Sequence, residues 1–430
     1  MKHSTIQLFN LSTAAAIAFA IATTAFAELT VTGVTARQRW PWNSLVDVDF
    51  TVNGDAGEAY AIDVSATAEG GAKKLRAKTF TTEPIAQSGK KTRIVWDLGA
   101  DYPDFEADDF QVTVTATPFS DTTPVYLVVD LSGGGSAATW PVRYTTTAPV
   151  HTIGVEDPCK TTELWLKRVK AGTITMGGGS SESYPSHTCT LTNDYYLGIF
   201  SLTQSQSQNI GYNVKSNLPG FLGAEWGAYF TNASCRATRP CDTLRYPFLR
   251  QPYCDPANPD AALTADGIIK RLRDKTELNF DLPTEWQWEY ACRAGSTGAT
   301  YPGAVFRCGG TTPPADYQYN GNKPMWDTAY GTTYVDAYDP NDWGFYGMLG
   351  NVYEITLYNK NISIANGDSL TEPKGEKQNS YEIGKGGAWS RTATYCCSYS
   401  RNVYNFTSSL SAQAYQWGAC ICLTIKKTAE

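Results

Sequence analysis

The sequence predicts an α+β protein in which an N-terminal antiparallel β-sandwich precedes a larger, loop-rich domain. Three observations carry this prediction. Apolar and polar residues alternate with period two through residues 28 to 117, the pattern of strands with one buried face. Beyond residue 157 tryptophan, tyrosine, glycine and cysteine rise, and loops rich in Pro, Asn and Asp lengthen. One segment there carries full helix punctuation: Thr284 and Gln287 form a capping box, and Gly295 stands where a C-terminal cap belongs.

Residues 1–27 combine Lys2, an apolar stretch at residues 14 to 22 and Ala25-Phe26-Ala27 before Glu28, which reads as a cleavable secretory signal. No later apolar run reaches the eighteen or so residues that a membrane helix needs, and the cleavage site lacks a lipid-bearing Cys. The expected product is soluble, without a transmembrane anchor, and secreted, periplasmic or at the cell surface.

In the expected sandwich, residues 28–117, Val46, Val48, Phe50 and Val52 alternate with Asp47, Asp49 and Thr51 before an Asn53-Gly54 turn. The alternation returns at Tyr60, Ile62, Val64 and Ala66 and at Phe110, Val112 and Val114. With neither Cys nor His, this region reads as a spacer or docking module, with carbohydrate binding as the alternative. Residues 118–157 hold one apolar run, 126 to 131, then Gly133-Gly134-Gly135-Ser136 and a Thr-rich segment, a strand followed by a linker.

Composition excludes several functions of the last domain, residues 158–430. Of 35 Lys and Arg only Lys2 lies in the signal, so 34 remain against 42 Asp and Glu, an acidic balance that argues against nucleic acid as partner. Only His151 and His187 remain after the signal, too few for a zinc hydrolase or a three-His iron centre. All eleven Cys fall between Cys159 and Cys422, which in an oxidising compartment predicts disulfides, with at least one thiol left over within the chain. The helix expected from about residue 285 to 294 places Trp286 and Tyr290 on one face and buries most of its surface. Glu285 and Glu289 share a face too, but as acids near a helix start they read as structural rather than as a glycosidase pair.

Four motifs then occur in order: Thr173-Ile174-Thr175-Met176-Gly177; Leu282-Pro283-Thr284-Glu285-Trp286-Gln287-Trp288-Glu289-Tyr290-Ala291-Cys292-Arg293-Ala294-Gly295; Asn341-Asp342-Trp343-Gly344-Phe345-Tyr346-Gly347-Met348-Leu349-Gly350-Asn351-Val352-Tyr353-Glu354; and Gly386-Gly387-Ala388-Trp389. Together with residues 195 to 204 they make the region from about residue 160 onward resemble the formylglycine-generating, sulfatase-modifying-factor family. The resemblance implies a C-type-lectin-like fold with little regular structure, usually steadied by calcium. It also implies, for active members, a copper site of two cysteines that uses oxygen to convert a cysteine of an unfolded sulfatase into formylglycine.

In the family pattern a serine follows the Gly-Gly pair, and two cysteines follow at fixed spacing. Counted from Gly387, Ala388 stands at the serine, Arg391 at the first cysteine and Cys396 at the second. A lone thiolate cannot supply a linear two-sulfur site and an Arg beside it repels the cation, so copper catalysis is disfavoured. Cys396 is either a residual catalytic thiol or a core residue of the final strands. Cys420 and Cys422, two apart on an expected strand, would be placed to bridge to Cys396 or Cys397, with the connectivity open. Gly418-Ala419-Cys420 replaces the family's closing Gly-Phe-Arg.

For calcium, the resemblance assigns side-chain oxygens to Asn351 and Glu354 and carbonyls to Gly350 and Val352. The same two side chains would otherwise hold a turn without metal. A second family site falls no more closely than the vicinity of Tyr319-Asn320, and Asp336, Asp339 and Asp342 lack EF-hand spacing.

Three functions follow. The favoured one is a non-catalytic binding or scaffold module that presents Tyr395, Tyr399, Tyr404, Phe406, Tyr415 and Trp417 to a protein or glycan ligand, from a segment rich in Tyr, Ser, Asn and Gln. The same aromatics would otherwise be core. The second is a copper-dependent oxidase acting on exported sulfatases, and the third a structural surface or adhesion component.

Overall fold

The structure, a computed structural model, describes residues 28–40, 43–179, 183–212, 237–242, 244–250, 263, 266–306, 332–357, 362–373, 381–389, 391–405 and 416–426. The 1–27 segment read as a signal lies outside the described residues, as do Tyr319 and Asn320. Among the described residues no helix is long and apolar enough to cross a membrane. The chain forms two compact units, Met1–Val128 with Val142–Ala148, and Val129–Pro141 with Pro149–Glu430.

The first unit is built from antiparallel strands. Thr30–Gln38, Leu45–Asn53 and Lys91–Asp97 are neighbours in one sheet, which continues through Thr79–Phe80 to Val142–Thr145. In the other, Ala59–Ala68 pairs with Lys73–Arg76, Ile85–Gln87 and Phe110–Pro118. Val46, Val48, Phe50 and Val52 are at most 1% exposed and share one core with Tyr60, Ile62, Val64 and Ala66. The period-two alternation therefore finds its buried face in both sheets, each large side chain contributing about 1.5–3 kcal/mol.

Leu45–Asn53 and Ala59–Ala68 belong to different sheets, so the Asn53-Gly54 turn opens a crossing between them. Two details differ from the sequence expectation. Asp47, expected on a wet face, is only 4% exposed, because Arg37 and Arg39 fold over it and donate to its carboxylate. The stretch read as a linker also holds a strand, Val142–Thr145, paired with Thr79–Phe80.

The second unit has short strands and few helices. Glu163–Val169 pairs with Tyr195–Gly198, which pairs with Cys422–Thr424. Thr173–Met176, His187–Thr190 and Ser369–Thr371 make a second sheet, and Tyr353–Ile355, Tyr381–Lys385, Arg401–Asn405 and Trp417–Gly418 a third. Mostly sheet with a handful of helices, the fold is α+β as predicted. Asp336, from the acidic loop, is fully buried and holds Lys160 at 2.6 Å and His151 at 3.0 Å, tying residues 151 to 160 to the loop before Asn341.

The helix Glu285–Arg293 forms where its punctuation predicts. Thr284 accepts from the Gln287 backbone while the Gln287 side chain accepts from the Thr284 backbone, and both contacts of the capping box are present. The left-handed C-cap falls on Ala294, at φ 46°, one residue before the expected Gly295, itself at φ 85°. All nine helical residues are buried. Asn341 seals the end by donating to the Ala291 and Cys292 carbonyls, while its own oxygen accepts from Trp343 and Phe345.

Candidate functional site

The helix carries charge into the core, and each charge is met. Glu289 accepts from Arg293, from Lys385 at 3.1 Å and from the Gly177 backbone. Burial opposes its ionisation, yet Lys385 and Arg293 outweigh burial and hold the carboxyl below the ordinary carboxylate range. Glu285 pairs with Arg401, whose guanidinium also sits 4.0 Å over the Tyr184 ring. Both acids are structural, as expected. Through Lys385 and Arg401 they fix the two strands that flank the Gly386-Gly387 turn.

That turn needs glycine. Gly386 and Gly387 have φ of 84° and 79°, a Cβ on Gly386 would lie 2.3 Å from the Met348 carbonyl, and one on Gly387 would lie 2.6 Å from Cys396 Sγ. Gly350 N–H donates to the Gly386 carbonyl and Trp389 N–H to the Asn351 carbonyl, so the turn is strapped to the 350–352 loop. After it, Arg391 N–H donates to Ala388, Tyr395 N–H to Thr392 and Cys396 N–H to Ala393. The chain thus folds back in consecutive turns, and Cys396 ends fully buried beneath Gly387.

The 350–354 loop was the calcium candidate. Asn351 Oδ1 accepts from Thr333 N–H at 2.9 Å and its Nδ2 donates to the Thr333 carbonyl at 3.1 Å. Glu354 accepts from Ser201 Oγ and from Trp288 Nε1, each at 2.5 Å, one donor on each oxygen. Full burial raises this carboxyl to about 7, toward its neutral form. Calcium seeks six to eight oxygens with carboxylate among them. Here the assigned side-chain oxygens already face protein donors, so Asn351 and Glu354 do not fit a calcium cage and instead lock the loop. Gly350 and Val352 would have only carbonyls to offer. No group of three or more His, Cys, Asp or Glu among the described residues is placed to hold a metal.

Copper fits no better. Arg391 occupies the first cysteine position, its guanidinium carbon 5.9 Å from the centroids of both Tyr353 and Tyr395. The Cys396 thiol lies 3.9 Å from the Ala388 carbonyl, and the Cys397 thiol is directed at the Ala393 and Thr394 carbonyls, 3.6 Å from each. Burial pushes Cys397, Cys420 and Cys422 up, away from the thiolate that binds metal. Cys420 points to the Gly198 carbonyl and Cys422 to the Gln287 side chain. No disulfide joins any two of the eight described cysteines, so neither Cys420 nor Cys422 bridges to Cys396 or Cys397, and the expected disulfides are not formed among the described residues.

The aromatic candidates divide. Trp417 is 1% exposed, packed at a tilt against Tyr353 with ring centroids 5.1 Å apart, and is core. Tyr395 and Tyr399 are half-buried. Tyr404 lies on the strand Arg401–Asn405 opposite Glu382, and Phe406 and Tyr415 lie outside the described residues. Tyr399 also packs over Gly179, where a Cβ would sit 2.0 Å from its ring. Tyr184 and Arg401 were not anticipated from sequence. The glycine run at 177 to 179 was the available signal that an aromatic ring approaches the backbone there.

A family model described as the sulfatase-modifying factor enzyme 1-like domain matches residues 156–415. Over 128 residues the chain is 32% identical to the formylglycine-generating enzyme of Mus musculus, covering 27% of this chain and 32% of that one. Over 81 residues it is 40% identical to the inactive C-alpha-formylglycine-generating enzyme 2 of Bos taurus, covering 17% and 25%. The chain thus spans about a third or less of the length of these relatives. Among solved structures, Treponema denticola variable protein 1 aligns with a TM-score of 0.42 at 22% identity, covering 64% of this chain and 99% of that one. PvdO from Pseudomonas aeruginosa aligns with a TM-score of 0.37 at 19% identity, covering 64% and 100%.

Proposed function

The chain belongs to the sulfatase-modifying factor family, and from that premise we propose that it is an exported binding module without the family's oxidative chemistry. The observation that carries this reading is Arg391. It takes the position of one copper cysteine and brings a fixed positive charge and two flanking rings where a thiolate would be needed. Burial of Cys396 beneath Gly387 agrees, as does the loss of the serine to Ala388. That some matched relatives are named inactive formylglycine-generating enzymes also supports it.

Recognition on this reading uses the turns after Gly387, with Tyr395 and Tyr399 as contacts and the buried Glu285, Glu289, Lys385 and Arg401 network holding them in place. A rigid base under half-exposed tyrosines limits the ordering cost of binding. The segment at residues 1–27 supports a location outside the cytoplasm, and the partner is a protein or glycan met there, sulfatases included.

The test is Cu(I) titration of the reduced protein together with oxygen uptake on a cysteine-containing sulfatase peptide, for wild type and Cys396→Ser. The expected result is no stoichiometric copper and no uptake above background in either protein. Tight copper binding with Cys396-dependent uptake would instead establish the oxidase.

A further inference from the structure

We propose that Arg391 is the anchor of a carboxylate-binding site, so that the position of a metal-binding cysteine in this family has here become an anion receptor. The inference rests on the reading of the chain as a binding module and names the chemistry of its ligand.

Several arginines of this unit are paired with carboxylates. Arg168 meets Asp194, Arg250 and Arg273 meet Asp281, Arg293 meets Glu289 and Arg401 meets Glu285. Arg391 breaks that pattern, since no carboxylate among the described residues pairs with it and its side-chain neighbours there are the rings of Tyr353 and Tyr395. Its Nε is shielded from solvent and has no hydrogen-bond partner among the described residues, although the residue as a whole is only half-buried. A shielded guanidinium N–H without an acceptor is costly, and an arriving oxyanion would relieve that cost.

The surroundings are preorganised. Arg391 N–H donates to Ala388, Trp389 N–H to Asn351 and Tyr395 N–H to Thr392, so these backbone groups are already paired before any ligand arrives. Tyr353 is 1% exposed and rests on Trp417, which gives the guanidinium an immobile aromatic floor. Tyr395, whose ring lies beside the charge, is half-buried and not sealed in the core. Glu354, one residue beyond Tyr353, spends both oxygens on Ser201 and Trp288, so it does not compete for Arg391. A planar, weakly hydrated fork beside a half-buried ring suits a flat carboxylate carried on an apolar or aromatic body.

The experiment is calorimetric titration of the full chain with benzoate, with benzamide as the neutral isostere and benzenesulfonate as the tetrahedral anion, for wild type, Arg391→Gln and Arg391→Lys. Wild type should bind benzoate and not benzamide, Arg391→Gln should bind at least tenfold more weakly, and Arg391→Lys should fall between them. Thermal melts that match wild type confirm that each variant is folded. Absence of benzoate binding, or equal binding by wild type and Arg391→Gln, overturns the site. Benzenesulfonate binding as tight as benzoate overturns the carboxylate assignment. The copper and oxygen assays read the binding-module premise separately, so failure of this site leaves a distinct signature from failure of that premise.

Discussion

The helix Glu285–Arg293 and the turns from Gly386 to Cys396 touch the same framework but follow different rules. On the helix every residue is buried and every charge has a partner, so each side chain is constrained by several others. On the turns the glycines and backbone hydrogen bonds fix the path, and Arg391 has no ion pair among the described residues. Both regions carry motifs of the family, the helix held by side-chain pairing and the turns by backbone geometry, so the two tolerate side-chain change differently.

The largest expected effect sharpens that contrast. Glu289→Ala strands Lys385 and Arg293 in the core without a counter-charge and should cost about 3–5 kcal/mol, read by urea unfolding. Arg391→Gln, on the turns, should stay within about 0.5 kcal/mol of wild type in the same experiment. An equal loss in both would break the comparison.

A second contrast lies in pH. The Glu354 carboxyl is raised by burial from an ordinary 4.5 to about 7, with Ser201 and Trp288 acting in the opposite sense. Since the folded state holds this proton more tightly, the group's contribution is fully present below about pH 4.5 and is lost as pH climbs through about 7, a span of roughly 3 kcal/mol at most. Glu382, raised by burial to about 8, acts in the same sense. Glu289, held low, acts oppositely and loses its contribution on acidification. Glu354→Gln should therefore fold and flatten the decline between about pH 5 and pH 8, followed by urea melts across that range. An unchanged slope would show that Glu354 is ionised throughout.

The smallest effect concerns the cap. Thr284→Ala removes the acceptor for the Gln287 N–H and should cost about 1 kcal/mol, read as a modest fall in Tm.

The strands of the first unit were legible because Val46, Val48, Phe50 and Val52 repeat with the period of a pleated strand, and the helix because Thr284 and Gln287 satisfy its free N–H groups locally. The crossing after Asn53 was not legible, since a turn residue fixes a change of direction and not the partner strand. The position of Arg391 was readable by counting from Gly387, and its two aromatic neighbours were not.

By itself the sequence determined the class of fold, the helix and its caps, and the substitutions at Ala388 and Arg391, because these depend on local spacing and residue chemistry. Only the tertiary structure decided that Asn351 and Glu354 are occupied by Thr333, Ser201 and Trp288, and that Trp417 is core. It also decided that the described cysteines stay apart. Those outcomes depend on which distant groups arrive beside a side chain, and hydrogen-bond satisfaction and burial are properties of the assembled neighbourhood.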